Sequence, residues 1–189
     1  MEAKKIIITG GATRIGAAIA RSLSGNEKQI TLHYNQSEKE AKKLKTELER
    51  DGAKVFLIKA DLSNSNSVKK IIPFSYKMMK GLDCLINNAS IFEKDSIKDF
   101  NESKFNNHMN INLKAPAILS QAFKKYVKNN KGNIVNIIDQ RIFKLTPYFF
   151  SYTLSKSGLE TLTKTSAMKL APNIRVNGVA PGPTIKNKR

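Results

Sequence analysis

The eight residues Thr9-Gly10-Gly11-Ala12-Thr13-Arg14-Ile15-Gly16 follow an apolar run, Ile6-Ile7-Ile8, and open a segment in which Ile15, Ala18, Ile19 and Leu23 recur at helical spacing. Strand, glycine turn and helix in that order constrain this chain more than any other feature. Glycine lets the backbone turn tightly and approach a pyrophosphate, while the first N–H groups of the helix point at its oxygens. A glycine turn that merely caps a strand is the plain alternative, so the rest of the pattern has to decide. That pattern repeats. Strand-like runs at about 4–8, 29–33, 54–59, 82–87, 133–138 and 174–179 alternate with helical stretches at about 15–24, 38–51, 66–80, 103–129 and 151–170. The alternation predicts an α/β fold over a single domain, residues 1–189: a doubly wound parallel sheet covered by helices on both faces, in a three-layer α/β/α arrangement. Pro73 is expected to kink or divide the third helix, and Asn112 is a polar residue inside the long fourth one.

In such a sheet, ligands bind outside the carboxyl ends of the strands. The second strand ends in His33, Tyr34, Asn35, Gln36 and Ser37, and the first acid, Glu38, already belongs to the following helix. An acidic residue at this strand end would bind a ribose 2′-hydroxyl, so its absence favours a 2′-phosphate and NADP over NAD; an ordinary polar strand end is the alternative. Asp61, after the third strand, suits either an adenine amino group or an N-cap. Asn87-Asn88-Ala89-Ser90, after the fourth, suits backbone bracing beside a crevice or an Asx turn. The fifth strand delivers Asp139 to the same edge.

Beyond a loop with Pro147, Phe149 and Phe150 come Tyr152 and Lys156, four residues apart and so on one face of a helix. An ammonium about 4 Å from a phenolate, at an effective dielectric near 20, contributes up to ~4 kcal/mol. That is roughly 3 pK units, enough to bring a tyrosine from about 10 towards 7, where it can exchange a proton. Isolated Tyr-x-x-x-Lys pairs are usually structural. This one follows five strand–helix units.

The formal charge of +18 would suit nucleic acid or an anionic surface. Yet only Arg14, Arg21, Arg50, Arg141, Arg175 and Arg189 are arginines, and the lysines are scattered over the predicted helices after the first without an aromatic-interleaved stripe. A solvated lysine surface is the reading adopted, with no nucleic-acid or membrane partner expected. The one cysteine, Cys84, permits no internal disulfide, and a cytoplasmic location is expected.

Together, the Thr9–Gly16 turn, Asn87-Asn88-Ala89, Asn112, the Tyr152–Lys156 pair and the late Pro181-Gly182 turn resemble the short-chain dehydrogenase/reductase family over essentially the whole chain. The resemblance implies a Rossmann-like fold and hydride transfer from a nicotinamide, here NADPH. Tyr152 would be the general acid, Lys156 would lower its pKa and bind the nicotinamide ribose, and Asn112 would hold a relay water. Gly10, Arg14, Ile15 and Gly16 would contact the cofactor, as would His33, Tyr34, Asn35 and Ser37 at the second strand end. Asp61, Asn88, Ala89, Ser90, Pro181 and Gly182 would complete that set.

Two positions are similar to the pteridine reductase branch: Arg14 stands where the family turn has glycine, and Asp139 where it has the active-site serine. Ser90 and Phe92 match a segment whose phenylalanine stacks on a pterin. Arg14, Phe92, Asp139 and Tyr152 would then bind a dihydropteridine or related heterocycle, and Asp139, as the branch's third catalytic residue, would help deliver a proton to a ring nitrogen. The plain reading makes Arg14 a surface charge, Asp139 a loop cap and Phe92 core packing. A carbonyl reductase for a ketone or 3-oxoacyl thioester is the alternative within the family; outside it stands a non-catalytic nucleotide- or RNA-binding protein. The family continues past its Pro-Gly turn into lid helices and a last strand, so this chain is expected to be truncated and to lack both. In full-length form it would be a homo-oligomer, a dimer or tetramer. No metal site is expected.

Overall fold

The computed structural model describes residues 3–127 and 131–184. Six strands, β1 (Lys5–Ile8), β2 (Gln29–Tyr34), β3 (Lys54–Lys59), β4 (Cys84–Asn87), β5 (Gly132–Ile137) and β6 (Ile174–Val179), form one parallel sheet in the order β3-β2-β1-β4-β5-β6. The connecting helices are α1 (Arg14–Ser22), α2 (Glu38–Arg50), α3 (Ser65–Met79), α4 (Glu102–Met109), α5 (Ala115–Tyr126) and α6 (Phe150–Leu170). This is the doubly wound parallel sheet that the alternating sequence predicts, and the Rossmann-like fold that the resemblance implies.

Strand periodicity divides the apolar residues between two layers. Ile7 of β1 packs with Ile71 and Ile72 of α3 and with Leu119 and Phe123 of α5. Ile6 and Ile8 face the other way, towards Ala17 and Ala20 of α1 and Leu44 and Leu48 of α2. β1 is therefore buried on both faces, as its unbroken Ile6-Ile7-Ile8 run requires. The chain leaves β1 towards β2 and β3, then returns to place β4 on the other side of β1. This reversal opens a crevice at the carboxyl ends of the two central strands. Cys84 is buried, and burial pushes its thiol up to about 12.

One expectation about the helices is narrowed and one is corrected. Pro73 does not divide α3, which runs through it from Ser65 to Met79. Proline costs the helix the N–H that would reach the Lys69 carbonyl, but Ile71 and Ile72 beside it are fully buried and hold the helix to the core. The fourth helix is not continuous: one π-helical turn, Asn110–Lys114, separates α4 from α5. The wider turn carries Asn112 inward, where it is fully buried. Such turns are rare and recur at functional sites. The carboxyl end expected for this helix, residues 128–129, lies outside the described residues.

Candidate active site

A cleft of ≈ 720 Å³ runs along the carboxyl ends of the strands. Its floor is the turn after β1. Gly10 has φ +59, and a Cβ there would lie 2.9 Å from the Ala89 Cα. A Cβ on Gly16 would collide with the Gly10 carbonyl and come within 2.6 Å of Asn88 Nδ2. Both positions therefore require glycine. Asn88 Nδ2 donates to the carbonyls of Thr9 (2.9 Å) and Gly10 (3.1 Å), while Thr9 Oγ1 accepts the N–H groups of Asn88 and Ala89 (both 3.0 Å). β1 and β4 are thus cross-braced at the site. No side chain caps the start of α1 and no acid lies in its first turn. An uncapped helix start of this kind can receive an anion.

Arg14 holds φ +48, a left-handed conformation that suits glycine. An arginine there presents a strained cation at the mouth of the cleft. His33 is almost fully buried, and both its ring nitrogens are used within the protein. Nδ1 accepts from the Gly10 N–H (3.1 Å), so Nε2 carries the proton and donates to the Ala60 carbonyl (3.0 Å). Burial lowers its pKa, opposed by the Ala60 bond and Asp61. The imidazole borders the cleft while holding the glycine turn from below.

The other wall holds the Tyr152, Lys156 and Asp139 side chains. Tyr152 donates to Asp139 Oδ2 at 2.6 Å, and Asp139 Oδ1 accepts the Arg141 N–H at 2.8 Å. Lys156, 2% exposed, donates Nζ to the Ile137 carbonyl at 2.8 Å. Burial lowers its pKa to about 8, with Asp139 pulling it back up. The sequence-based expectation for Tyr152 is reversed: its pKa is raised above the ordinary phenol value. Burial is the main cause, followed by the hydrogen bond to Asp139 and the charge on that carboxylate, whereas Arg141 and a hydrogen bond with Ser90 pull it down. Lys156 Nζ stands 5.8 Å from the Tyr152 ring centre and spends a proton on Ile137. In this arrangement Tyr152 is a fully protonated donor.

Asn112 makes four side-chain hydrogen bonds. Its Nδ2 donates to the Ile91 carbonyl (3.1 Å) and Ser155 Oγ (3.0 Å), and its Oδ1 accepts from the Ile91 N–H (3.0 Å) and Ser90 Oγ (3.2 Å). Those bonds use both its amide protons and both its carbonyl lone pairs. The Asn112 side chain staples the Ser90–Ile91 segment to α6.

Of the residues singled out from sequence, Gly10, Arg14, Ile15, Gly16, Asn35 and Asp61 border this one cleft. So do Asn88, Ala89, Ser90, Phe92, Asp139, Tyr152, Lys156, Pro181 and Gly182. Tyr34, Ser37 and Asn112 do not. Tyr34 turns under the sheet edge against Ala12 and Ala41, and Ser37 precedes α2 without capping it.

Sequence reasoning missed an aromatic and cationic wall. Phe92 stacks on Phe149, with ring centres 4.2 Å apart and planes 7° apart, and meets Tyr152 edge-on at 4.7 Å. The Arg141 guanidinium lies 4.5 Å from the Phe149 ring centre and donates to Thr146 Oγ1 at 2.9 Å. The signal was present in Arg141 two residues after Asp139 and in Phe149-Phe150 just before Tyr152. The fold alone brings those loops against Phe92.

A family model described as short chain dehydrogenase matches residues 4–187. The chain belongs to the short chain dehydrogenase family. An uncharacterized oxidoreductase of Thermotoga maritima is 32% identical over 185 residues, covering 96% of this chain and 72% of that protein. The chain spans between 64% and 73% of the length of four curated relatives that it matches. Among solved structures, FolM alternative dihydrofolate reductase 1 from Brucella canis, complexed with NADP, superposes with a TM-score of 0.90 at 37% identity. That match covers 97% of this chain and 75% of the other. A blue fluorescent protein from a metagenomic library, complexed with NADPH, has a TM-score of 0.91 at 30% identity, covering 96% and 75%.

Proposed function

We propose that this protein is an NADPH-dependent reductase of a dihydropteridine or related flat heterocycle. The observation that carries the reading is the Tyr152–Asp139 hydrogen bond, set against the Phe92 ring in a cleft whose floor is the Gly10–Gly16 turn. Gly10 and Gly16, where a Cβ would clash, and the uncapped start of α1 fit a pyrophosphate. Arg14 would add charge there. At the β2 end the cleft meets Asn35 rather than a carboxylate, which fits a ribose 2′-phosphate better than a 2′-hydroxyl.

Bound NADPH supplies a hydride. The protein supplies the rest. Lys156, buried beside the cleft, orients the nicotinamide ribose. Tyr152 keeps its proton at rest because the phenol is buried and Asp139 faces it. When a ring nitrogen of the substrate replaces Asp139 as hydrogen-bond acceptor, that proton moves to the nitrogen and the phenolate left behind is drawn towards the cations Arg141 and Lys156. Phe92 offers the flat surface on which a heterocycle stacks. Arg141 stands above the same aromatic pair. The NADP-bound FolM structure of Brucella canis supports both halves of the reading.

Initial rates with NADPH and with NADH, against a dihydropteridine, a dihydrofolate, a small ketone and a 3-oxoacyl thioester, test the proposal. NADPH-driven reduction of the heterocycles is the expected result. Activity confined to the ketone or thioester would overturn the substrate assignment.

A further inference from the structure

Behind the Phe92–Tyr152 wall lies a buried polar cluster that the chemistry above does not use. Asp95, His108 and Ser151 are 3%, 0% and 0% exposed, and come from the loop after β4, from α4 and from the first turn of α6. The Glu93 N–H donates to His108 Nε2 at 3.3 Å. An accepting Nε2 means that the proton of a neutral ring sits on Nδ1, which is 2.7 Å from Ser151 Oγ. Ser151 Oγ then accepts from His108 and gives its own proton to Asp95 Oδ2. The chain of bonds runs in one direction, from Glu93 through His108 and Ser151 to Asp95, and the Lys104 backbone one turn earlier also bonds the ring.

Asp95 also closes the start of α6. Its carboxylate accepts the Ser151 N–H (3.2 and 3.3 Å to its two oxygens), and its carbonyl accepts the N–H groups of Phe149 (2.8 Å) and Phe150 (3.4 Å). The helix needs this help. Phe149, at its start, has φ 60 and makes no side-chain cap, and no acid lies in the first turn. The Asp95 carboxylate satisfies the Ser151 N–H and favours the helix dipole, and the Asp95 carbonyl satisfies the other two. The same three residues are not a hydrolytic triad: Ser151 has no exposed surface, and its proton is committed to Asp95.

We infer that Asp95, His108 and Ser151 are positioning residues, a single hydrogen-bond chain that locks the loop bearing Phe92 to the helix turn bearing Tyr152. Glu93 adjoins Phe92, and Ser151 adjoins Tyr152, so the two ends of the chain fix the stacking surface and the proton donor relative to each other. The brace works only with a neutral imidazole, because an imidazolium has no lone pair for the Glu93 N–H. The groups facing His108 are Asp95 and Glu93 from the loop and Lys104 one turn earlier on α4, with the Tyr152 ring edge-on at 6.0 Å. Burial holds its pKa below the ordinary value, opposed by the two carboxylates.

This inference rests on the reductase reading for its kinetic arm but not for its spectroscopic one. Nitrogen-15 NMR of His108 in the intact protein at neutral pH should show the Nδ1–H tautomer, and Ser151→Ala, which removes the acceptor of that proton but not the Glu93 N–H, should move the Nδ1–H proton resonance upfield. An Nε2–H tautomer or a cationic ring would overturn the chain whatever the enzyme reduces. In the kinetic arm, Ser151→Ala is close to isosteric and is expected to fold. It should lower kcat roughly 10–100-fold through misplacement of Tyr152, with the KM for NADPH unchanged. His108→Asn can still donate to Ser151 but cannot accept from Glu93. It should raise the KM for the heterocycle and lack the acid-side fall in kcat/KM expected of wild type as its imidazole takes up a proton. Unchanged kcat in Ser151→Ala, or a loss that merely follows the folded fraction with no change in KM or pH profile, would refute a positioning role.

Discussion

Lys156 carries a buried charge, and replacing it separates stability from activity. Its pKa falls from 10.5 to about 8, a displacement equivalent to ~3 kcal/mol of penalty on the charged form. Methionine at this position removes that penalty and fills similar volume. It also forfeits the hydrogen bond to the Ile137 carbonyl, a loss of about 1–2 kcal/mol. The balance is a gain of about 1–2 kcal/mol at pH 7, which for a chain of this size raises Tm by roughly 2–8 °C. Turnover should nevertheless fall by about 10²–10⁴. The sign with pH is also fixed. The folded pKa lies below the unfolded one, so wild type regains stability as pH climbs from about 8 towards 10.5. The advantage of Lys156→Met should therefore shrink over that window. Calorimetric unfolding of both proteins from pH 7 to pH 10 tests this. A variant less stable than wild type at pH 7, or an offset constant with pH, would refute the buried-charge argument.

Arg14→Gly removes a left-handed arginine and should leave stability unchanged or higher by up to ~1 kcal/mol. It should weaken NADPH binding by about 10–100-fold through loss of a charge-assisted bond, both read by calorimetry. Gly16→Ala places a methyl group against Asn88 and the Gly10 carbonyl, so any folded variant should show no thermal shift with NADPH, whereas wild type at 100 Kd gains ~2.7 kcal/mol. The pKa values of His33 and His108 are both lowered, first by burial, so the unfolded chain takes up protons first as pH falls below about 6.5. Stability should decline there by up to ~2.7 kcal/mol per pH unit for the pair, and a Tm flat between pH 7 and pH 5 would contradict this.

The fold was legible because strand and helix periods alternate cleanly, and Ile6-Ile7-Ile8 reads as a doubly buried strand before any coordinates are known. Gly10 and Gly16 were legible for a similar reason, since close backbone approach leaves few other residues possible. The π-helical turn was not, because Asn112 sits in an apolar-periodic stretch whose local sequence favours an ordinary helix; only the fully bonded side chain accounts for the extra residue. The Tyr152 proton was misjudged because spacing on a helix shows which residue shares a face, not what the opposite strand end presents. Asp139 and burial outweigh Lys156 here. Asp95, His108 and Ser151 were invisible for the same reason: each is unremarkable alone, and three separate segments must fold before they meet.

The most direct measurement is single-turnover oxidation of NADPH by wild type and Tyr152→Phe with a dihydropteridine, alongside NADPH binding by calorimetry. The account predicts rapid oxidation by wild type, a rate lower by about 10²–10⁴ in the variant, and the same NADPH affinity in both. Equal rates in the two proteins would contradict Tyr152 as the proton donor, and no oxidation in either, with NADPH bound, would contradict the reductase itself.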